Sequence, residues 1–275
     1  MRIYHLNAGT ISPLGARFVN GSGGVFRRGR LVCHVLLVET DDGLVLVDTG
    51  FGANDIANPM QLGRMWARLA GPSLDPAETA IEQVKRLGFA PDDVRHIVLT
   101  HLDRDHAGGL PDFPKAKIHV HVSEYDAAVN LKIESNKERY VADLWRHGPD
   151  WKLCGGSGED WYGFKGVRAL AGRETEILLI PLPGHTPGHC GVAVRGAEKW
   201  LLHAGDSYFF HGQVETPTVP APFMLGAVQR MADTDRATRV ANQERVRRLK
   251  AEHRGEIDIF NSHDPVDYAR CCDGH

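Results

Sequence analysis

Five apolar stretches of this sequence each end at an aspartate or a histidine, and this pattern restricts the possible folds more than any other feature. LVLV is followed by Asp48, HIVLT by His101, ILLIPLPG by His185, WLLHAG by Asp206 and IDIFNS by His263. Short apolar runs of this kind predict buried strands. If a sheet presents these strand ends on one side, the polar residues meet there in loops, which commonly carry function.

The segment THLDRDHAGG, residues 100–109, has two histidines and two aspartates within the six residues from His101 to His106. Carboxylates packed this densely need a compensating charge once they are buried. With the strand ends, the pattern gives four histidines and three aspartates as candidate metal ligands: His101, Asp103, Asp105, His106, His185, Asp206 and His263. Seven ligands are too many for one tetrahedral zinc. They predict two divalent ions about 3.5–4 Å apart, with one carboxylate bridging them.

Composition excludes several other classes of protein. The chain has 275 residues, of which 42% are hydrophobic, so it can bury a core without disulfides. A net charge of −3 argues against nucleic-acid or anionic-membrane partners. We find no apolar run that suits a signal peptide or a membrane span. Five cysteines without a C-x-x-C motif are typical of reduced thiols, so we expect a cytoplasmic protein.

The periodicity of the chain indicates a mixed, layered α+β architecture. Residues 31–50 read as a β-hairpin with an Asp-Asp-Gly turn, and helical spacing occurs at about 76–87 and 234–252. Residues 123–165 are polar and aromatic and lie between two blocks of strands, with a helix expected near 124–147. We interpret this stretch as an insertion.

Four motifs together resemble the metallo-β-lactamase superfamily in order and spacing. They are THLDRDHAGG, PLPGHTPGHCGV, HAGDSYF and FNSHDP, and the resemblance covers residues of about 31–268. It implies a single domain over residues 1–275, folded as a four-layer αββα sandwich with a dinuclear metal site along one edge. By position, the resemblance assigns His101, Asp103 and His185 to the first metal, Asp105, His106 and His263 to the second, Asp206 to the bridge, and Asp48 to the support of a ligand histidine.

Asp103 departs from the superfamily pattern H-x-H-x-D-H, which has histidine at this position. Asp103 could bind the first metal, as a carboxylate does in the diiron oxygen-reducing branch. It could also turn away and leave a mostly mononuclear site, or the site could bind metals without catalysis. We favour the first alternative. We expect zinc as the bound metal. Because an extra carboxylate favours harder ions, iron and manganese are the alternatives.

Within the superfamily, the chain resembles the lactonase-like hydrolases most. This implies a small-molecule substrate, a lactone or other ester, whose carbonyl is attacked by metal-bound hydroxide. Asp105 and Tyr208 are the candidate catalytic residues, with the Tyr208 hydroxyl expected to stabilise the oxyanion. The resemblance also implies that residues 123–165 form a lid and the contact of a homodimer. The alternatives are a nonhaem iron sulfur dioxygenase and a non-catalytic metal-binding protein of the same fold.

Other histidines and aromatic residues receive structural or pocket roles. We interpret His189 as a structural or supporting histidine, and His119 and His121 as members of a packed or exposed strand face. The aromatic candidates for the wall of the substrate pocket are Trp145, Trp151, Trp161, Tyr162, Phe209 and Phe223.

Overall fold

The computed structural model describes residues 2–130, 139–156, 158–171 and 176–273. Their strands are β1 (Ile3–Ile11), β2 (Leu31–Thr40), β3 (Gly43–Val47), β4 (Val94–Val98), β5 (Lys117–His121), β6 (Asp150–Cys154), β7 (Glu159–Trp161), β8 (Phe164–Ala171), β9 (Glu176–Pro181), β10 (Cys190–Arg195), β11 (Trp200–His203) and β12 (Ile257–Phe260). Their α-helices are α1 (Ala16–Asn20), α2 (Ala53–Ala57), α3 (Arg64–Ala70), α4 (Ala80–Arg86), α5 (Arg104–Ala107), α6 (Val122–Tyr125), α7 (Phe223–Ala232), α8 (Arg236–Glu252) and α9 (Pro265–Asp273).

Short 3₁₀ turns and one π-helical turn complete the described secondary structure. The 3₁₀ turns are Pro59–Leu62, Pro76–Glu78, Pro91–Asp93, Leu110–Asp112, Ala142–Trp145 and His211–Val214, and the π turn is Asp126–Asn130.

The strands form two six-stranded sheets. The first has the order β1-β2-β3-β4-β5-β6 and the second the order β12-β11-β10-β9-β8-β7. In the first sheet, β3 to β6 run parallel to one another, whereas β1, β2 and β3 are antiparallel. In the second sheet, only β11 and β12 among the paired strands are parallel.

The two sheets pack face to face around a central apolar core. Alternate residues of β2, such as Leu36 and Val38, join Ile177 and Leu179 of β9 in one buried cluster between the sheets. This follows from the two-residue period of a strand, which sends successive side chains to opposite faces. Because both faces of these strands are buried, their sequences are continuous apolar runs rather than alternating ones.

Helices cover the outer face of each sheet. The intervening β2 residues, including Leu37, cluster with Val84 of α4 on the outer side of the first sheet. In the second sheet, Leu178 and Ile180 cluster with Val246 of α8. The order of layers is therefore helix, sheet, sheet and helix, which is the αββα sandwich expected from the sequence.

The strand-end pattern has a simple structural cause. The parallel strands β3 and β4 end side by side in the first sheet, and β11 and β12 do so in the second. Asp48, His101, Asp206 and His263 follow these four strands. Since the sheets stack on each other, all four loops lie along one edge of the sandwich.

The predicted hairpin is present as β2–β3, and the helix predicted at about 234–252 is present as α8. The helix expected near 124–147 is not continuous in the described residues, where α6 and the π turn end at Asn130; residues 131–138 lie outside them. The stretch 123–165 also contributes β6 and β7, the edge strands of the two sheets. No helix in the described part of the chain is long and apolar enough to cross a membrane.

Leu36→Ala should lower the free energy of unfolding by about 2–5 kcal/mol, because Leu36 is fully buried between the sheets and the truncation leaves a cavity. Urea unfolding of the chelator-treated protein measures this change. Leu153→Ala on β6 is the matched control, since Leu153 is 48% exposed, and it should change stability by no more than about 0.5 kcal/mol. Equal effects of the two variants would contradict the inter-sheet core.

Candidate metal centre

All seven predicted ligands converge at the shared edge of the two sheets. Four strand ends and one short helix supply them: His101 follows β4, Asp103 precedes α5, Asp105 and His106 lie in α5, His185 follows β9, Asp206 follows β11, and His263 follows β12. The four imidazoles and Asp206 are buried, whereas Asp103 and Asp105 are half-buried.

The Asp206 carboxylate lies between two groups of imidazoles. Its Oδ2 is 3.3 Å from Nε2 of His185 and 3.8 Å from Nε2 of His101. Its Oδ1 is 3.2 Å from Nε2 of His263 and 3.5 Å from Nε2 of His106. Each group, with Asp206, places its ligand atoms within 4.8 Å of one another, as a metal site requires. Nε2 of His263 is also 3.2 Å from Oδ2. The carboxylate thus lies between the two groups with both oxygens close to imidazoles, a position from which it could bridge two ions.

Asp103 and Asp105 extend the two groups. Oδ2 of Asp103 lies 3.1 Å from Nε2 of His185 and 3.4 Å from Nε2 of His101. Oδ2 of Asp105 lies 3.6 Å from Nε2 of His263. The structure therefore brings the unusual aspartate of the motif to the side of His101 and His185, where Arg139 also contacts it.

Three buried ligand atoms fit cations directly. Nε2 of His101, Nε2 of His106 and Oδ1 of Asp206 have no hydrogen-bond partner among the described residues. Buried polar atoms without a partner are costly and uncommon, so they call for an ion or another group at this position. Imidazole and carboxylate are ligands of zinc, and an additional carboxylate also suits iron and manganese.

Neighbouring charges shift the pKa values of the clustered side chains. Burial opposes ionisation of Asp206, but His263, His106 and His185 hold its pKa well below its ordinary value. Burial likewise opposes protonation of His106, yet Asp206 and Asp105 raise the pKa of His106 well above its ordinary value. Metal ions and protons therefore compete for the same ligand atoms.

Hydrogen bonds from outside the centre orient the ligand imidazoles. Nδ1 of His106 donates to Oδ2 of Asp48 at 2.8 Å, and Nδ1 of His263 donates to the carbonyl of Val32 at 2.8 Å. The Thr100 hydroxyl donates to Asp48 and accepts from Nδ1 of His101 at 3.0 Å. Each contact fixes the proton on Nδ1 and directs the Nε2 lone pair into the centre.

Asp48 itself is held in a restricted geometry. Its backbone has φ 59°, a conformation that is uncommon for residues other than glycine, and the Thr100 amide donates to its Oδ1 at 2.8 Å. Burial opposes its charge, but His106 keeps the pKa of Asp48 below the ordinary value. A strained backbone at this position is consistent with a supporting role in the site.

Glu124 links the loop that carries His101 to the loop that carries His185. This residue was not identified from the sequence. It is fully buried, and its Oε1 accepts from the Leu102 amide at 2.9 Å and from the Tyr140 hydroxyl at 3.1 Å. Its Oε2 accepts from the Thr186 hydroxyl at 2.7 Å and from the Gly188 amide at 3.0 Å. The residues beside His101 and His185 are thus tied to one carboxylate. A glutamate within a polar stretch gives no sequence signal for this role.

His189 and Cys33 also lie against the centre. Nδ1 of His189 donates to the Leu182 carbonyl, and its Nε2 accepts from the Asp206 amide at 2.8 Å, so it positions Asp206. The Cys33 thiol groups with Asp105 and His263 within the 4.8 Å range of a metal site. Cys33 lies inside β2 rather than at a strand end, so the strand-end pattern could not indicate it.

The Tyr208 hydroxyl hydrogen-bonds within the core, and no hydrogen bond joins it to a candidate ligand side chain in the described residues. Tyr208 is fully buried, and its hydroxyl donates to Oδ2 of Asp267 at 3.2 Å. The oxyanion role predicted for Tyr208 therefore does not follow from its position, although it lies only two residues beyond Asp206. A strand-end loop can turn a side chain into the core within two residues, and spacing along the chain does not reveal the direction.

A cavity of about 230 Å³ adjoins Asp103 and Asp105. Its apolar wall consists of Phe51, Leu62, Trp66 and Val141, and Arg104 and Arg139 line its polar side. None of the six aromatic residues predicted for a pocket wall lines it. Of those six, Phe209 packs edge-on against His185 and His263.

Comparison with known protein families identifies one whose profile matches most of this sequence. The profile of the Metallo-beta-lactamase superfamily matches residues 28–252. The chain belongs to the metallo-β-lactamase superfamily. The family and the αββα fold predicted from the four motifs are thereby confirmed.

The chain is similar in sequence to a probable metallo-hydrolase and to lactonases. A probable metallo-hydrolase of Mycobacterium tuberculosis is 39% identical over 265 residues, which cover 96% of this chain and 81% of that protein. The N-acyl homoserine lactonase AttM of Rhizobium radiobacter is 26% identical over 272 residues, which cover 98% of this chain and 95% of that protein. This metallo-β-lactamase superfamily protein is therefore a hydrolase close in sequence to lactonases.

A solved structure shows the same fold. An N-acyl homoserine lactone hydrolase with the product N-hexanoyl-L-homoserine bound at its catalytic metal centre superposes with a TM-score of 0.70 at 22% identity. The match covers 98% of this chain and 95% of the other.

Asp48→Asn should weaken metal binding by about 10–100-fold while the protein stays folded, because an amide cannot hold the Nδ1 proton of His106 as a carboxylate does. Competition with a chromophoric chelator measures the affinity. Asp150→Asn, on the edge strand β6, is the control and should leave the affinity unchanged. Unchanged affinity in Asp48→Asn would show that His106 needs no support from Asp48.

Tyr208→Phe should lower the free energy of unfolding by about 1 kcal/mol, because the hydrogen bond to Asp267 is lost in the core. Hydrolytic turnover should stay within about threefold of the unmodified protein, since an oxyanion donor would contribute about 100-fold or more. Urea unfolding and steady-state kinetics measure the two effects. A 100-fold fall in kcat with unchanged stability would restore the catalytic role of Tyr208.

Proposed function

We propose that this protein is a dinuclear metal-dependent hydrolase that cleaves a lactone or another carboxylic ester. One observation carries the proposal: the Asp206 carboxylate lies between the pair His101 and His185 and the pair His106 and His263, with an oxygen within 3.8 Å of Nε2 of each imidazole. A carboxylate so placed can bridge two ions, and two-metal sites of this kind serve hydrolysis.

The ligand assignment follows the two groups of side chains. The first ion would be held by His101, Asp103, His185 and Asp206, and the second by Asp105, His106, His263 and Asp206. Zinc fits the imidazole-rich set, and iron or manganese fit the extra carboxylate. When bound, such ions supply a water of lowered pKa and polarise the carbonyl of the substrate.

The cavity beside the centre supports an ester with an apolar part. Phe51, Leu62 and Trp66 offer an apolar wall, and Asp103 and Asp105 lie on the same cavity. Asp105 is both a ligand candidate near His263 and partly open to the cavity, so its carboxylate can accept a proton from a bound substrate or water. The lactonase relatives favour a lactone as the first substrate class to be tested.

Residues of the stretch 123–165 reach this site, which supports its proposed function as a lid. Glu124 and Tyr140 hold the loops of His101 and His185, and Arg139 and Val141 line the cavity. A segment that both holds the ligands and walls the cavity is placed to control access of substrate.

The decisive experiment joins metal content with substrate class. Zinc-saturated protein should bind about two equivalents of zinc and hydrolyse N-acyl lactones. Asp206→Ala removes the ligand shared by both ions, so it should lower metal occupancy at both sites and reduce turnover by at least about 100-fold. Elemental analysis and a panel of lactone, ester, thioester and phosphoester substrates measure these outcomes. Asp258→Ala, on β12 and paired with Lys199, is the control.

Three results would contradict the proposal in different ways. Less than one equivalent of metal after supplementation would remove the dinuclear centre. Turnover of glutathione persulfide by the iron form, without lactone or ester turnover, would indicate a sulfur dioxygenase. Two bound ions with no turnover of any substrate in the zinc, manganese and iron forms would indicate a non-catalytic metal-binding protein.

A further inference from the structure

Arg139 holds the aspartate that distinguishes this metal centre. Its Nε donates to Oδ1 of Asp103 at 2.6 Å, and its Nη2 donates to Oδ2 of the same carboxylate at 2.8 Å. Both side chains are mostly buried, with exposed fractions of 17% and 16%. Two parallel charge-assisted hydrogen bonds of this kind are the strong, geometrically specific form of an arginine–carboxylate pair.

The same guanidinium engages a second ligand of the first metal. Nη2 of Arg139 lies 2.8 Å from Nε2 of His185. Nε2 of His185 also lies 3.1 Å from Oδ2 of Asp103. In the tautomer protonated at Nδ1, which is the one that can bind a metal through Nε2, this nitrogen accepts from Arg139 with its single lone pair, since arginine has donors only. That lone pair cannot bind a metal ion while it accepts from Arg139.

A third contact anchors the guanidinium from the opposite side. Nη1 of Arg139 donates to the carbonyl of Ala232, the last residue of α7, at 2.7 Å. The side chain is thus fixed between α7 and the ligands and is not a freely moving surface arginine.

The other half of the centre has no such resident cation among the described residues. Nε2 of His106 has no hydrogen-bond partner there, as is also true of Nε2 of His101 in the first half, so the halves differ in the guanidinium that contacts Asp103 and His185. The neighbouring Arg104 is directed away, since its Nη1 pairs with Asp55 at 2.6 Å. The two halves are therefore unequal: a side-chain cation already compensates Asp103, whereas the group around His106 and His263 has only its own imidazoles.

We propose that Arg139 acts as a built-in competitor of the first metal ion, so that the two sites fill in a fixed order. The site of Asp105, His106 and His263 binds its ion first and tightly. The site of His101, Asp103 and His185 binds its ion only when the guanidinium releases Asp103 and His185, and therefore more weakly. This inference rests on the dinuclear centre proposed above and adds the order and inequality of its two ions.

The test is a zinc titration of the chelator-treated full chain by calorimetry, followed by dialysis and elemental analysis. The unmodified protein should show two steps that differ by about tenfold or more in affinity, and it should retain about one equivalent after dialysis. Arg139→Gln removes the charge and the bidentate contact, so it should strengthen the weaker step by about tenfold or more and retain close to two equivalents.

Arg146→Gln is the matched control. Arg146 lies in the same stretch of chain and pairs with Asp143, but it is exposed and contacts no ligand. This variant should titrate like the unmodified protein. Circular dichroism checks that all forms are folded.

The outcomes separate this inference from the proposed function. Two equally tight sites in the unmodified protein would overturn the competition by Arg139 and leave the dinuclear hydrolase intact, and this titration decides the point even if Arg139→Gln does not fold. A folded Arg139→Gln that keeps the weak step unchanged would overturn it as well. Binding of no more than one zinc ion by both forms in excess zinc would instead overturn the dinuclear centre itself.

Discussion

The candidate metal centre depends on one buried carboxylate, Asp206, and on the imidazoles that surround it. His101 and His106 follow β4 of the first sheet, whereas His185 and His263 follow β9 and β12 of the second. The centre exists only where the two sheets meet, so packing of the apolar core and assembly of the ligands are one process. Since ions would bind the assembled site and not the unfolded chain, metal binding and folding are thermodynamically linked.

Burial of so many polar groups is possible because most of them are compensated in pairs from separate segments. Glu124 accepts four hydrogen bonds from the loops of His101 and His185 and from Tyr140, and Asp48 accepts from His106 and Thr100. His189 holds the Asp206 amide. Three buried atoms that face the centre, Nε2 of His101, Nε2 of His106 and Oδ1 of Asp206, have no hydrogen-bond partner among the described residues. Supporting groups whose hydrogen bonds are all made, around ligand atoms that have none, are typical of a preorganised ion site.

The sequence predicts those features that are set by local pattern. The strand ends at His101, Asp206 and His263 follow from apolar runs that stop at polar residues, and the layer order follows from their burial on both faces. The roles of Glu124 and Arg139 could not be predicted, because each depends on partners brought together only by the complete fold. The direction of Tyr208 depends on a contact with Asp267 in α9, which the spacing from Asp206 does not contain.

Asp103 and Arg139 are best understood as one feature rather than two. A histidine at position 103 would be a neutral ligand, whereas the aspartate adds a negative charge that must be compensated when it is buried. The guanidinium provides this compensation at 2.6 and 2.8 Å, but it also lies where it repels a divalent ion and engages His185. Changing Asp103 alone to histidine would leave Arg139 without its carboxylate and still beside the first site. The usual superfamily motif would therefore be restored in sequence, but the positive charge that competes with the first ion would remain at position 139.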